Sequence, residues 1–232
     1  IDAGIEVIGP VLEDKCKRLN EIFIANKTQN RTFVAIKTAT TIDGKIATFS
    51  NNSKWITSNY ARNEVRNIRK KYDAILTSSS TIIADNPTMA HKCKVILDRE
   101  LKTDLSGEIY KQGKIYVFHA CSPKKKNTNS RITFIPTPCT NKKLDIGHIL
   151  KKLYELGVMS VLVESGGALN ESFLPYADKL YHFIAPKILG DNNGKSCFYG
   201  KAVQNISDCT NLEFESFASF PPDILLTYNK KV

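Results

Sequence analysis

From Thr32 onward the chain alternates short apolar runs of strand length with stretches of helical periodicity. Strands that alternate with helices indicate an α/β sheet covered by helices on both faces. The last three strand candidates follow one another without a long helix, which predicts an antiparallel edge near the C-terminus. The strand candidates are 33–39, 74–78, 94–98, 114–118, 132–135, 160–164, 180–185, 212–217 and 223–228, and the helix candidates are 58–71, 145–156 and 168–174.

The length of 232 residues, 42% of them hydrophobic, predicts one domain with a substantial core. Residues 11–24 have helical spacing and 27–31 are polar, so residues 1–30 are interpreted as a connector or the tail of a preceding unit. Because Ile1 replaces an initiator Met and no signal-peptide pattern follows, we expect a chain that starts inside a longer protein or has been processed.

The formal net charge of +10 raises the possibility of a nucleic-acid partner. Lys124–Lys126 form one basic run, interpreted as a solvated loop, and the other cations are dispersed without interleaved aromatic residues. Solubility and attraction for phosphorylated small molecules are the favoured interpretation. The six scattered cysteines are expected to be reduced thiols, although a secreted chain could pair them. The cysteines and histidines do not have the spacing of a metal-ligand motif, so we expect no structural zinc.

Polar residues gather where the early apolar runs end. Lys37 interrupts the run 33–39, and Asp85 follows a Thr/Ser cluster at Thr77–Thr81. Ligand clefts of open α/β sheets form at the carboxyl ends of strands, so we expect a binding site here. An edge-strand lysine with its amino group in water and an ordinary Asp-Asn-Pro turn would explain the same residues.

A second candidate lies where the apolar run 159–163 ends in Glu164-Ser165-Gly166-Gly167 before a helix. Backbone N–H groups converge in such a turn, where a pyrophosphate fits and glycine allows its close approach. An ordinary strand-to-helix turn is the alternative. Glu164 is interpreted either as a ligand contact or as a solvated surface carboxylate.

The helix candidate 58–71 carries a run of cations and is expected to be capped by Thr57 or Ser58. Arg69, near its end, is either a phosphate ligand or an ordinary cation that stabilises a helix C-terminus. Trp55, the only tryptophan, is either a core residue or a cofactor platform.

Several motifs taken together closely resemble, in content and order, the reductase half of the bifunctional riboflavin-biosynthesis deaminase-reductase family. They are FVAIKTATTIDGKIAT, SKWITS, ILTSSSTIIADNPTM, VILD, VLVESGGALNESFL and FIAPKILG. The resemblance spans about Thr32 to Tyr228, which predicts a reductase domain at 31–232. Residues 1–30, with AGIEVIG and CKRLNEIF, resemble the tail of the family's deaminase domain and its linker, and the deaminase zinc motif is absent from this chain.

The resemblance implies a dihydrofolate-reductase-like fold: a central, mostly parallel sheet with helices on both faces and an antiparallel C-terminal edge. It also implies a cytoplasmic homodimer, fused to an upstream zinc deaminase domain, that uses NADPH. The implied reaction reduces 5-amino-6-(5-phosphoribosylamino)uracil to its ribitylamino product, with hydride transfer to C1′ of the ring-opened imine. A reductase of another pterin or pyrimidine, such as dihydrofolate, and a basic nucleic-acid-binding module are the alternatives.

The resemblance also assigns roles to individual residues. It implies catalytic roles for Lys37, Asp85 and Glu164, without deciding the acid–base assignment among them. The implied substrate contacts are Ser53, Arg69, Met89, Lys92 and Glu164. The implied cofactor contacts are Ala39, Trp55, Thr81, Asp85, Arg99, Gly166, Gly167, Ala168, Leu169, Asn170, Glu171 and Ser172.

One departure from the family pattern concerns the expected phosphate clamp. Relatives have Asn-Pro-x-Leu-Thr-x-Arg where this chain ends the motif with Lys92. Lysine keeps the charge but loses the bidentate fork of arginine, so we expect weaker or differently aimed phosphate binding.

Overall fold

The computed structural model describes residues 2, 4–6, 8–121, 129–200 and 203–230; the basic run Lys124–Lys126 lies outside them. Within these residues no helix has both the length and the apolar character needed to cross a membrane. The strands are β1 Phe33–Thr41, β2 Lys45–Ala47, β3 Ala74–Ser78, β4 Cys93–Leu97, β5 Lys114–His119, β6 Ile132–Pro136, β7 Cys139–Thr140, β8 Lys143–Leu144, β9 Ser160–Val163, β10 Lys179–Ala185, β11 Lys195–Ser196, β12 Leu212–Phe220 and β13 Asp223–Lys230.

Helices and short 3-10 turns connect these strands. The helices are α1 Glu13–Leu19, α2 Glu21–Gln29, α3 Asn59–Lys70, α4 Ser79–Asp85, α5 Ile146–Glu155 and α6 Gly167–Phe173, and the 3-10 turns are Glu108–Tyr110, Leu174–Tyr176 and Ile206–Asp208.

The core of the fold is a nine-stranded sheet in the order β12-β13-β10-β1-β9-β3-β4-β5-β6. The seven strands from β10 to β6 run parallel, whereas β13 and β12 pair antiparallel. The expected antiparallel C-terminal edge is therefore confirmed. β1 lies between β9 and β10, where the strand order reverses, and this is the position at which open α/β sheets place ligand clefts.

Each face of the sheet buries its own layer because side chains alternate along a strand. Val34 and Ile36 of β1 pack on the face covered by α5, whose Ile149 and Leu153 are fully buried. Phe33, Ala35 and their neighbours lie on the opposite face, against the apolar side of α3. Helices on both faces were predicted from the alternating pattern, and the packing confirms them.

Helix boundaries follow from capping. Ser58 caps α3, its Oγ accepting a hydrogen bond from the Ala61 N–H, which confirms the expected cap. Asp145 caps α5 in the same way. The helical spacing of 11–24 divides into α1 and α2 at Asn20, whose side chain donates to the Cys16 carbonyl at 2.9 Å and thereby ends α1.

The sequence pattern missed α4. Its residues Ser79–Asp85 include a serine–threonine cluster, which is typical of a turn rather than a helix. The helix forms because the Ser78 Oγ caps it, accepting from the Thr81 N–H at 3.3 Å, and because Ile82 is buried in the core.

Candidate active site

Glu164 is the centre of a buried charged cluster. It directly follows β9, its N–H donates to the Leu76 carbonyl at 2.9 Å, and its side chain is buried. Arg69, at the end of α3, donates from Nε to Oε1 at 2.6 Å and from Nη2 to Oε2 at 3.0 Å. A bidentate pair of this kind has directional geometry and greater strength than a single charged hydrogen bond. Glu164 is thus no solvated surface carboxylate.

Lys37 completes the cluster from the central strand β1. Its Nζ lies 4.0 Å from Glu164 Oε2 and 5.9 Å from the ring centroid of Phe183 on β10. The side chain is only 17% exposed, and β1 has a paired strand on each side. The alternative of an edge-strand lysine with its amino group in water is therefore wrong.

The cluster shifts the proton affinities of its members. Burial by itself raises the pKa of Glu164, but hydrogen bonds from Arg69 and the charge of Lys37 outweigh it, so the pKa lies below its ordinary value. Burial lowers the pKa of Lys37, and the charge of Glu164 offsets this only in part. Glu164 therefore stays ionised, whereas Lys37 gives up its proton more readily than a lysine in water.

Hydroxyl groups gather beside the charged cluster, at the carboxyl ends of β3 and β9. Ser78 Oγ lies 2.9 Å from Ser165 Oγ and 3.1 Å from Thr81 Oγ1, and Thr81 Oγ1 is 3.3 Å from Ser165 Oγ. Thr77 Oγ1 donates to the Glu164 carbonyl at 2.8 Å, which ties the two strand ends together. Hydroxyls that exchange donor and acceptor roles suit a polar ligand at this edge of the sheet.

The two glycines after Ser165 have different surroundings. A Cβ on Gly166 would have no atom within 4 Å, so the space beside this residue is open. A Cβ on Gly167 would lie 2.2 Å from the Ser196 carbonyl oxygen. The close approach of the β11 segment thus explains why residue 167 is a glycine, whereas open space lies beside Gly166.

The rest of the 166–172 segment faces in several directions. Ala168 is exposed, while Leu169 packs on the core of the α5 face and Glu171 is half-buried. Asn170 is fully buried, and its side chain donates to the Cys197 carbonyl at 2.9 Å, while Ser172 Oγ donates to the Ala168 carbonyl at 3.0 Å. The structure therefore gives an open face to Gly166 and Ala168 and turns Asn170 toward the interior.

Trp55 lies on the surface, 62% exposed, so the alternative of a core tryptophan is wrong. The guanidinium carbon of Arg62 is 4.3 Å from the ring centroid, and Arg62 Nη1 donates to the Thr57 carbonyl at 2.6 Å. Lys187 Nζ donates to the Trp55 carbonyl at 2.6 Å. An exposed indole held in this way offers an aromatic surface to a ligand.

Asp85, Met89 and Lys92 lie on or beside the segment between α4 and β4. Asp85 ends α4 and is half-buried, whereas the Met89 side chain is buried in an apolar cluster with Ile82 and Ile109. Lys92 is 75% exposed, and its Nζ lies 4.0 Å from Asp73 Oδ1. Within the described residues, the ion-pair partners of Glu164 are Lys37 and Arg69, so Lys92 is not part of the charged cluster.

The remaining candidates are more peripheral. Arg99 follows β4 and pairs with Glu100 on the surface, and Ser53 and Ala39 are half-buried. Three site neighbours were missed by sequence reasoning: Ser165, Arg62 and Phe183. The sequence could have indicated Ser165, because its hydroxyl stands directly before Gly166. It could not have indicated Arg62 or Phe183, because their contacts with Trp55 and Lys37 depend on the fold.

The sheet order and the site together define an α/β domain with a central, mostly parallel sheet, an antiparallel C-terminal edge and a polar cleft where the strand order reverses. The chain belongs to the RibD C-terminal domain family, whose profile matches residues 32–226. The resemblance stated from the motifs is confirmed.

Individual relatives agree. The riboflavin biosynthesis protein RibD of Actinobacillus pleuropneumoniae is 32% identical over 241 residues, covering 97% of this chain and 64% of that protein. A 5-amino-6-(5-phosphoribosylamino)uracil reductase of Buchnera aphidicola is 33% identical over 205 residues, covering 77% of this chain and 97% of the relative.

Among solved structures, the deaminase/reductase of Thermotoga maritima is 30% identical with a TM-score of 0.86, covering 99% of this chain and 65% of that one. The chain thus spans less than two thirds of these RibD relatives. The riboflavin biosynthesis reductase Rib7 of Saccharomyces cerevisiae has the same fold. It is 20% identical with a TM-score of 0.72, covering 93% of this chain and 99% of that one.

Proposed function

We propose that this domain reduces 5-amino-6-(5-phosphoribosylamino)uracil to its ribitylamino product, with NADPH as the hydride donor. The observation that carries the proposal is the buried cluster of Lys37, Arg69 and Glu164 beside a group of hydroxyls at the reversal of strand order. The Buchnera relative named for this reductase activity supports it.

The substrate is expected to bind on the charged side of this cleft. Arg69 uses one edge of its guanidinium for Glu164, which leaves Nη1 to donate to a phosphate or sugar oxygen. Ser53, Met89 and Lys92 are the further proposed contacts. Because Lys92 is directed toward Asp73 in the structure, its ammonium would have to leave that exposed pair to reach a phosphate.

The residues around Gly166 fit a nicotinamide cofactor. The open space beside Gly166 and the hydroxyls of Thr81 and Ser165 suit a pyrophosphate, and exposed Trp55 suits the nicotinamide end. When bound, the reduced nicotinamide supplies the hydride. Arg99 is proposed to meet the 2′-phosphate, which would favour NADPH over NADH. The other proposed contacts are Ala39, Asp85, Gly167, Ala168, Leu169, Asn170, Glu171 and Ser172.

The pKa directions support an acid–base assignment that the sequence left open. Glu164, ionised and paired with Arg69, accepts hydrogen bonds and orients the sugar. Lys37, with its lowered pKa, is the proposed donor of the proton that the amine gains as C1′ receives hydride. Asp85 is proposed to assist opening of the ribosyl ring.

The test is the loss of NADPH absorbance with purified protein and freshly deaminated 5-amino-6-(5-phosphoribosylamino)uracil. We expect oxidation that requires this substrate and is slower with NADH. An assay with dihydrofolate in parallel tests the alternative that the domain reduces another pterin or pyrimidine. Activity with dihydrofolate but not with the aminouracil would establish that alternative. Steeply salt-dependent RNA binding without NADPH affinity would instead favour the nucleic-acid module.

Homodimer formation and fusion to an upstream zinc deaminase domain are proposals as well. The sheet edge at β12 supports the dimer, because Phe214 is 56% and Phe217 is 72% exposed on that strand. Light scattering of the purified chain tests the dimer. The full reading frame tests the fusion, and truncation tests where the reductase domain begins.

A further inference from the structure

Lys94 is a buried lysine outside the charged cluster. It lies on β4, is 1% exposed, and its register neighbours on β3 and β5 are the buried residues Ile75 and Ile115. Within the described residues no carboxylate lies at ion-pair distance from its Nζ. An unpaired buried cation is costly, so the position is better suited to an apolar side chain unless the ammonium makes useful hydrogen bonds.

The hydrogen bonds of Lys94 join two segments of the chain. Its Nζ donates to the Ile109 carbonyl at 2.5 Å and to the Thr88 carbonyl at 3.5 Å. Burial lowers the pKa of Lys94, and a neutral amine would still donate to both carbonyls. Thr88 belongs to residues 86–92, here called the substrate loop, and Ile109 belongs to the neighbouring 3-10 turn.

A second contact joins the same two segments at the surface. Asn86 Oδ1 accepts a hydrogen bond from the Glu108 N–H at 3.0 Å. Asn86 and Met89 have φ values of 41° and 38°, a left-handed region that is unfavourable for Met89 in particular. A loop with two such residues keeps its conformation only when its surroundings hold it.

We propose that Lys94 is a positioning residue that anchors the substrate loop from inside the core and so sets the affinity for the phosphorylated substrate. The inference rests on the proposed function, because that function places Met89 and Lys92 at the substrate. The lysine acts through the loop: its ammonium donates to the carbonyl of Thr88, which directly precedes Met89. Loosening the loop adds an ordering cost to substrate binding but leaves the cofactor side unchanged.

The test compares Lys94→Met, which keeps the apolar stem and removes the donor, with wild type in the NADPH assay. We expect the KM for the aminouracil to rise about tenfold, with kcat and the KM for NADPH within twofold of wild type. Lys179→Met is the matched control, since Lys179 is a buried lysine paired with Glu21 and Glu215. It is expected to lower thermal stability while both KM values stay unchanged.

Asn86→Gly gives an independent measurement if Lys94→Met does not fold. It removes the second contact, tolerates the positive φ, and is expected to raise the same KM with the same selectivity. If the wild type is active and these variants leave the KM for the aminouracil unchanged, the inference is overturned and the proposed function stands. The same conclusion follows if the variants raise the KM for the aminouracil and the KM for NADPH equally. A wild type without turnover overturns the proposed function and the inference with it.

Discussion

Arg69 and Glu164 show how one pair of side chains can serve both the fold and the site. Their two hydrogen bonds hold the end of α3 against the end of β9, and the pair also presents a guanidinium edge to the cleft. The sequence left Arg69 with two interpretations, phosphate ligand or helix-end cation. Arg69 forms a bidentate pair with Glu164, which is 95 positions away in the chain. Its role is therefore more than that of a cation that stabilises the end of α3.

Replacing Arg69 separates substrate binding from cofactor binding. For Arg69→Ala we expect a rise of tenfold or more in the KM for the aminouracil, with the KM for NADPH nearly unchanged, because a charge-assisted contact to substrate is lost. Steady-state kinetics with each ligand varied in turn measure this. Arg66→Ala is the control, since Arg66 lies exposed on the same helix. Equal weakening of both ligands by Arg69→Ala would argue against substrate recognition.

The lowered pKa of Glu164 makes its contribution to stability depend on pH. A carboxyl whose folded pKa lies below its ordinary value of 4.5 stabilises fully above that value, and the contribution is lost as pH falls through the folded pKa.

Glu164→Gln is expected to lower the free energy of unfolding by about 3 kcal/mol at pH 7, because two partly buried cations lose their partner. The deficit relative to wild type should shrink as pH falls below about 4.5. Urea unfolding of both proteins between pH 7 and pH 3 measures it. A deficit that is constant over this range would mean that the charge of Glu164 is not its source.

At the scale of elements, the two glycines at the start of α6 have different surroundings, although the sequence motif predicted the same role for both. Both glycines of the Gly-Gly turn were predicted to allow an anion to approach. The structure divides the roles: Gly166 borders open space and Gly167 lies against the β11 segment. β11 is only two residues long and pairs with β2, and no local sequence pattern predicts this pairing.

Alanine at each glycine distinguishes the two roles. Gly167→Ala should cost about 1–3 kcal/mol of stability, since its Cβ would meet the Ser196 carbonyl and force the backbone apart. Gly166→Ala should change stability by less than about 0.5 kcal/mol but raise the KM for NADPH severalfold, because the methyl fills the proposed pyrophosphate space. Thermal unfolding and kinetics of both variants provide the measurement. A stability loss at Gly166 equal to that at Gly167 would contradict this division.

At the scale of the whole molecule, α2 contacts the sheet although residues 1–30 were expected to precede the domain. Ala25 and Asn26 are buried, and Asn26 donates to the carbonyls of Arg31 and Met159. Glu21 also forms an ion pair with buried Lys179 of β10 at 2.7 Å. α1, in contrast, has no buried residue. We therefore propose that the folding unit begins near Glu21.

Truncation tests this boundary. Removal of residues 1–12 should change the melting temperature by less than about 2 °C, whereas removal of 1–30 should lower it by about 5 °C or more. The larger loss is expected because Lys179 then keeps only Glu215 and the carbonyls of Arg31 and Met159 lose their donor. Equal melting temperatures for the two truncations would support the boundary at residue 31 instead.

Local pattern was sufficient for the order and type of most elements of this chain. Each of the nine predicted strands has a counterpart in the central sheet, because apolar periodicity and turn residues act over a few positions. The ordered motifs likewise identified the family. The helix α4 was not predictable, because its serines and threonines favour turns until Ser78 caps it and Ile82 is buried.

The three-dimensional site depended on contacts between residues far apart in the chain. Whether Lys37 and Glu164 face water or each other is decided by the neighbours that β1 and β9 acquire in the sheet. The same holds for Gly167 against Ser196 and for Lys94, whose amino group donates to the carbonyls of Thr88 and Ile109. Burial and pKa depend on every atom that surrounds a group, and only the folded chain brings those atoms together.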